Sequence, residues 1–596
     1  MPYFVPAHIQ SFLARKSALL AAATAIAVSG QAGAEPFGQP TLNFRGMPGI
    51  VDMPAAHHFE DGHGVISYGQ TFDGIQRSTF HFQILPRLTV SYRFSEIFGA
   101  GAETQDRSFD LRFLLLQEKT YSPALTLGLQ DILGTGVMSG EYLVASKTFG
   151  ALRATAGLGW GRFGSSGGFT NPLAAIDERF KERPNALTGL GGYLEGARFF
   201  RGDAAIFGGL QYQLGDAFVL SAEYSSDAYQ RETADFGFER KSNYNLAATY
   251  RFKNGIDASV AWLYGTTFGA QLSYHFNPDA VRAPRRGFDT PVMETLSALA
   301  LGVEGDPDTP VRLQGTRTET PQAAPRWTYG LDLYSGPTDS DPDNFLAEGG
   351  LRFTSRFALS DAVSLNTEMR QPLFVRRVEA VPDPADRASP NYPAIRTDAA
   401  LYEDDTNFEL RRLTADVRAQ FAQGLYVGLS AGVLEQMYSG TTAEMLWWPS
   451  QGRIAFGADL ALVKKRSPNR LFELEDMQRT SGLVSAYYTF GRGFTGHLRV
   501  GKYLAGDTGM TLSLDREFAN GFRIGGYATV TDMPDADYGE GSFDKGIRFS
   551  IPASWLFGRK STKTFTSTWR PNAGDGGQQV KDALDLYEEV RRARGS

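Results

Sequence analysis

The stretch Thr79–Phe94, TFHFQILPRLTVSYRF, decides how the chain is read. Phe80, Phe82 and Ile84 point one way, and Thr79, His81 and Gln83 the other. Past Pro86, Leu88, Val90, Tyr92 and Phe94 alternate with Arg87, Thr89, Ser91 and Arg93. A period of two marks a β-strand, because successive side chains leave on opposite faces. Working outward, the pattern returns at Phe218–Tyr224, at 270–276 (Ala270, Leu272, Tyr274, Phe276 against Gln271, Ser273, His275), at Leu425–Val433 and at Phe522–Val530. A soluble sandwich alternates in the same way. Here the apolar faces often end in Tyr, Phe or Trp, and the opposite faces carry Arg, His and Glu. Rings at the ends suit a lipid face, and charges suit a wet lumen. The expected fold class is all-β, an outer-membrane antiparallel β-barrel.

Composition agrees with strands rather than helices. The 596 residues are 21% charged with 66 glycines and 12% aromatics, and mean hydropathy is -0.27. That is too polar for a helical membrane bundle, while a barrel wall turns every second residue to a wet lumen. After the N-terminus no apolar run reaches the length of a membrane helix. The net charge of -7 gives no basic face for nucleic acid. With no cysteine, disulfides, thiolate metal sites and cysteine nucleophiles are excluded.

Residues 1–34 read as a signal peptide. Arg15 and Lys16 precede a short apolar run, Ser17–Val28, and Ala32-Gly33-Ala34 fits a cleavage site. Residues 35–276 form a first expected barrel. Residues 277–325, rich in Pro, Arg, Asp and Thr, read as a linker in which only Val292–Leu301 suits a short helix. Residues 326–570 form a second expected barrel, and 571–596 a polar tail with helical spacing of Val580, Leu584, Tyr587 and Val590. That tail is expected to end in a small periplasmic helix. Strand length allows roughly 10–14 strands per half. One barrel of about 24 strands is the competing layout. Phe252-Lys253-Asn254-Gly255-Ile256 and Phe518-Ala519-Asn520-Gly521-Phe522 read as two-residue Asn-Gly hairpins facing the periplasm, and Gly164–Arg183 and Val381–Tyr402 as outer loops.

Chemical motifs are sparse. Gly159–Gly164 matches G-x-G-x-x-G, but Ser165-Ser166-Gly167-Gly168 and Pro172 follow where a dinucleotide site needs a helix. A glycine-rich strand entering a loop fits better. His57, His58, His63 and His81 read as polar positions near the first strand, since ligands must converge. Asp532, Asp535, Asp537, Glu540 and Asp544 lie among Pro and Gly, as in a solvated loop. No G-x-S-x-G element or phosphate loop appears. Lys464-Lys465-Arg466 before Pro468 reads as a hairpin end that can also bind an anionic sugar or head group. Together with Asp507, Asp544 and Lys545 these are the candidate glycan or head-group contacts. No catalytic residue, metal or cofactor is expected.

Several longer runs resemble the YjbH-type exopolysaccharide biosynthesis proteins: Gly46–Pro54 (GMPGIVDMP), Asp106–Asp110, Leu133–Gly136 leading into Ser139–Phe149, Tyr224–Asp227, Arg396–Asp398, Gly457–Leu460, Gly501–Asp507 and Gly539–Ile547. The resemblance implies two barrels in the outer membrane and a part in making or exporting an extracellular polysaccharide. The implied partners are outer-membrane lipids, the polysaccharide and other export proteins. It implies no catalytic residues. Many members resemble lipoproteins with an acylated cysteine, which this sequence lacks. The expected function is non-enzymatic assistance to export. A glycan-modifying enzyme and a plugged scaffold for export partners are the alternatives.

Overall fold

A computed structural model describes residues 37–99, 102–132, 136, 138–184, 196–278, 326–337, 346–377, 391–402, 406–449, 452–468, 471–538, 543–552, 564–569, 574–581 and 584–594. The expected signal peptide and nearly all of the expected linker, including Val292–Leu301, lie outside these residues.

Twelve antiparallel strands, from β1 (Gly64–Thr71) to β12 (Thr267–Phe276), follow one another round a closed barrel. With an even count the first and last strands run opposite ways, so β1 closes onto β12 from Gly64↔Phe276 to Thr71↔Gly269. Closure removes both edges, so every strand of the wall has a hydrogen-bonded neighbour on each side. A second sheet of thirteen antiparallel strands runs from β13 (Trp327–Pro337) to β25 (Thr564–Trp569). With an odd count, β13 and β25 point the same way. Among the described residues they remain the two edges of that sheet.

Burial decides between lipid wall and sandwich. On β12, Phe268, Leu272 and Tyr274 are 53%, 55% and 51% exposed, while Gln271, Ser273 and His275 are 6%, 4% and 8% exposed. Apolar outside and polar inside is the inverse of a soluble protein, and such a continuous apolar surface needs lipid around it. No helix among the described residues is long and apolar enough to cross a membrane; the strands do so instead.

The connections of the first barrel differ by end. Those at 86–87, 150–151, 215–217 and 252–255 are short, and the opposite end carries 162–204 and 225–243. The latter holds α1 (Gln230–Phe236). The Asn-Gly hairpins are built differently from the expected two-residue form. Phe252 pairs with Ile256 through an N–H to O bond of 2.8 Å, and Phe518 with Phe522 in the same way at 2.8 Å. Three residues therefore span each turn, and Gly255 and Gly521 take φ of +82° and +84°. Asn keeps negative φ, and its glycine alone occupies the left-handed region, as in a type I turn with a bulge.

The two sheets touch. Phe80 and Phe82 stand on the outer face of the first barrel, yet they are only 6% and 0% exposed because Phe518, Phe522, Ile524 and Ile547 of the second sheet cover them.

Candidate functional site

Both hollows are occupied by segments of the chain itself, outside the strands. In the first barrel, residues 37–63 enter beside the short turns, where Phe37 N–H donates to Gly150 O and Arg251 donates to Gln39 O. The segment climbs through the lumen, turns, and returns to start β1. Asn43 Oδ1 accepts from the N–H groups of Arg45 and Met47 at 3.0 and 3.2 Å, which shapes the turn. Gly46 sits at φ +77°, and a Cβ there would lie 2.3 Å from Thr79 Cβ. On the descent, Glu223 of β9 (Phe218–Tyr224) accepts from the N–H groups of Val51, Asp52 and Met53 at 2.8, 2.9 and 2.9 Å.

The far tip is locked by charge. Arg45 pairs with Asp52 at 3.0 Å and with Asp227 at 2.6 Å, and Tyr229 donates to Asp52 at 2.9 Å. Arg162 reaches the same Asp227 and also Glu232 of α1. Burial alone would lower the Arg45 pKa, but Asp52, Tyr229 and Asp227 more than reverse this and hold the guanidinium charged. A buried charge is tolerated only with such partners.

At the entry end five histidines gather. His57 contacts Glu118 at 2.6 Å, and His58 contacts Thr126 at 3.1 Å and Thr89 at 2.9 Å. His63 Nε2 lies 3.1 Å from His275 Nδ1 and stacks on Phe59 at 4.4 Å. His81 contacts Ser91 at 2.8 Å. Burial pushes the His57 and His63 imidazoles down to about 4. No group of three or more His, Asp or Glu able to hold a metal occurs among the described residues.

In the second sheet the occupant is the C-terminal tail. Because β25 is odd-numbered, the chain leaves it at the end carrying the long 378–408 connection, and residues 574–594 run back down the hollow. Asp575 accepts from the N–H groups of Ile395, Arg396 and Thr397 at 2.8, 2.7 and 3.0 Å. The tail ends in α2 (Leu586–Ala593), capped by Asp585, which accepts from Glu588 N–H at 3.0 Å. Glu588 pairs with Arg523, Glu589 with Arg418 at 2.9 Å, and Arg591 with Glu517 at 2.5 Å. Although burial alone raises Glu588, Arg523 and Arg591 win and hold its carboxyl below the ordinary range. The expected periplasmic helix is thus a lumenal one. A four-ring stack runs Trp448, Tyr587, Tyr487, His497 with centroid spacings of 4.9, 3.8 and 4.0 Å.

Between tail and wall lies a cavity of about 190 Å³. Thr442, Glu444, Asp459, Ser481, Ser485, Tyr487 and Arg499 line it from the sheet, and Gln579, Val580, Leu584 and Asp585 from the tail. Leu586 N–H donates to Glu444 at 3.0 Å, and Arg499 donates to Gln579.

The six candidate contact residues stand near the long-loop end of the second sheet but do not form one site. Lys464 faces outward and is exposed. Lys465 points inward and pairs with Asp398 at 2.6 Å. Arg466 donates to the carbonyls of Leu410, Glu435, Gln436 and Leu471. Asp507 accepts from Gly577 N–H at 2.8 Å, pinning the tail. Asp544 accepts from Tyr527 at 3.3 Å. Lys545 is 3% exposed and sits over the Phe543 ring at 4.5 Å. Lys465 and Asp507 share the cap formed by 394–398 and 575–577. The plug locks Arg45, Asp227, Glu223 and Glu588 escaped the sequence reading. Glu223 alone gave a signal, a charge on the polar face of an alternating run; Arg45, Asp227 and Glu588 lie in the plug, a loop and the tail helix.

These features define a class: a chain of two transmembrane-type sheets, each filled by a segment of the same chain, 37–63 in one and 574–594 in the other. A family model described as "YjbH: Exopolysaccharide biosynthesis protein YbjH" matches residues 41–300 and 297–592, and the chain belongs to that family. It is 26% identical over 689 positions to "Uncharacterized lipoprotein YjbH" of Escherichia coli (strain K12), covering 96% of this chain and 97% of that protein. Among solved structures, the FrpB iron transporter of Neisseria meningitidis (F5-1 variant, apoprotein form) overlaps 87% of this chain and 78% of its own at 9% identity and a TM-score of 0.17. The alcaligin outer-membrane receptor FauA of Bordetella pertussis overlaps 88% and 78% at 8% identity and a TM-score of 0.18.

Proposed function

We propose that the protein sits in the outer membrane and assists biosynthesis or export of an extracellular polysaccharide, without a chemical step of its own. The observation that carries this reading is the family match, which spans both sheets. Location follows from the apolar outer wall, in keeping with the lipoprotein name of the Escherichia coli relative. The first barrel, filled by 37–63, serves as an anchor. The second hollow, with its removable tail and hydrogen-bonding lining, faces the glycan, whose hydroxyls suit such a surface. Lipids surround the walls, and other export proteins meet the ends. Deletion of the gene tests it: secreted polysaccharide drops and returns on complementation, and the protein fractionates with the outer membrane and shifts on heating in a gel. Unchanged polysaccharide amount and composition, or a soluble periplasmic protein, would overturn it.

A further inference from the structure

The lumen face of the second sheet carries a guanidinium that nothing pairs. On β14 (Leu346–Ala358), Leu351 and Phe357 are exposed on the outer wall, so Arg356, out of phase with both, turns to the hollow. There it is partly exposed, and it makes no hydrogen bond or ion pair among the described residues. The charges that act on it are Arg418 and Arg412 of β16 (Glu409–Ala422), which oppose it, and Asp416 of that strand and Glu589 of the tail helix, which favour it. Asp416 is already engaged: it accepts from Asn366, Arg412, Arg418 and Ser430 at 2.7, 3.0, 3.2 and 2.6 Å. The other carboxylate, Glu589, takes Arg418 Nε on both oxygens, at 3.1 and 2.9 Å.

Three guanidinia thus face two carboxylates, and one of these two arrives on a segment that is no part of the sheet. With the tail withdrawn, three face one. Like charges gathered on one wall are costly until an anion joins them. A carboxylate is the anion this wall already accepts, and the planar guanidinium matches it. Thr328 and Asn366 flank Arg356 in register, and Thr414 follows Asn366, a row of hydroxyls and an amide that suits sugar hydroxyls. We propose that this wall binds the carboxylates of an acidic polysaccharide, and that Glu589 holds the place of one of them until the tail is withdrawn. A neutral glycan leaves Arg356 uncompensated and binds less well. This deepens the polysaccharide reading and rests on it for the source of the glycan, though its test does not.

Titration calorimetry on the purified full-length protein in detergent decides the matter, with trigalacturonate as probe and its full methyl ester and inorganic phosphate as comparisons. Glu589→Gln binds trigalacturonate about tenfold more tightly than the parent does, and about tenfold more tightly than it binds the ester. Tyr587→Ala, which loosens the whole tail, gives a similar gain. Adding Arg356→Gln to Glu589→Gln weakens binding severalfold with heat-modifiable migration unchanged, and adding Lys464→Gln, on the outer face, leaves it untouched. Absence of binding, no gain in either tail variant, equal binding of acid and ester, unchanged affinity on adding Arg356→Gln, or phosphate that displaces trigalacturonate at equal concentration would each overturn the assignment. An unchanged polysaccharide on gene deletion would sink the export reading and leave this result standing.

Discussion

Glu223 shows how single residues work in this molecule. One carboxylate on a wall strand accepts three successive backbone N–H groups from Val51 to Met53, groups that a buried irregular segment would otherwise leave unpaired. The histidines do comparable work at the entry end, but their hold depends on pH. Burial holds His57 and His63 near 4, below the ordinary 6.5. Released imidazoles take up protons from about pH 6.5 downward, whereas docked ones stay neutral until about pH 4. Docking is therefore full above about pH 6.5 and weakens as pH falls toward 4. Glu118 acts in the same sense lower down. Burial raises it, but His57, Thr148 N–H and Lys147 bring it to about 2, so its contribution is lost below about pH 4.5. Hydrogen-exchange protection of residues 57–63, corrected for intrinsic rates, is expected to fall between pH 7 and 4.5, and His57→Gln with His63→Gln to flatten the profile. Constant protection in the unmodified protein would refute this. From sequence, these histidines were readable as polar positions beside the first strand. Their gathering was not, because His275 lies over 200 residues from His63 along the chain and meets it only when β12 closes on β1.

At the scale of the element, the strands were legible and the plugs were not. Alternation marks a strand wherever one face meets lipid and the other a polar lumen, and Phe80 with Thr79 was enough to set the phase. What fills a lumen leaves no periodic trace. The Gly46–Pro54 run stays irregular because Met47, Val51, Asp52 and Met53 N–H go to the Asn43 and Glu223 side chains, and those of Gly46, Gly49 and Ile50 to the carbonyls of Asn43, Thr41 and Met53. The tail does show helical spacing from Val580 to Val590, yet the helix covers only Leu586–Ala593. Upstream, Lys581 N–H goes to Glu435 and Gln578 O to Leu504 N–H, so that stretch is held extended by the wall. Tyr587 is the tail's main anchor, stacked between Trp448 and Tyr487. Tyr587→Ala is expected to cost about 3–4 kcal/mol of tail docking, as for a large ring removed from a core. Trypsin then cuts at Arg591 and Arg592 where the parent is protected, and planar bilayers show conductance that the parent lacks. A protected, non-conducting variant would remove the tail as a gate.

On the scale of the whole molecule, the question is what keeps the barrel and the second sheet side by side. In lipid, apolar contact alone drives association weakly, because the tails are as apolar as the side chains they replace. The ring cluster of Phe80, Phe82, Phe518 and Phe522 supplies close packing, with Phe82–Phe518 and Phe82–Phe522 centroids at 5.9 and 6.1 Å. Specificity comes from Arg516, which is held bidentately by Asp61 at 2.6 and 2.9 Å, donates to Ile84 O at 2.7 Å and lies over the Phe518 ring at 4.4 Å. The pair is asymmetric: the Arg516 side chain is 5% exposed and that of Asp61 27%. Removing Asp61 strands a buried guanidinium, whereas removing both leaves no charge to desolvate. With a protease site inserted in 279–325 and cut, the two halves are expected to stay together on a native gel. Asp61→Ala weakens their association by about 2–3 kcal/mol, and the double variant with Arg516→Ala recovers part of that loss. If Asp61→Ala halves stay together as firmly as the parent, or the double variant separates more readily than the single, the junction is held by the rings and not by this ion pair.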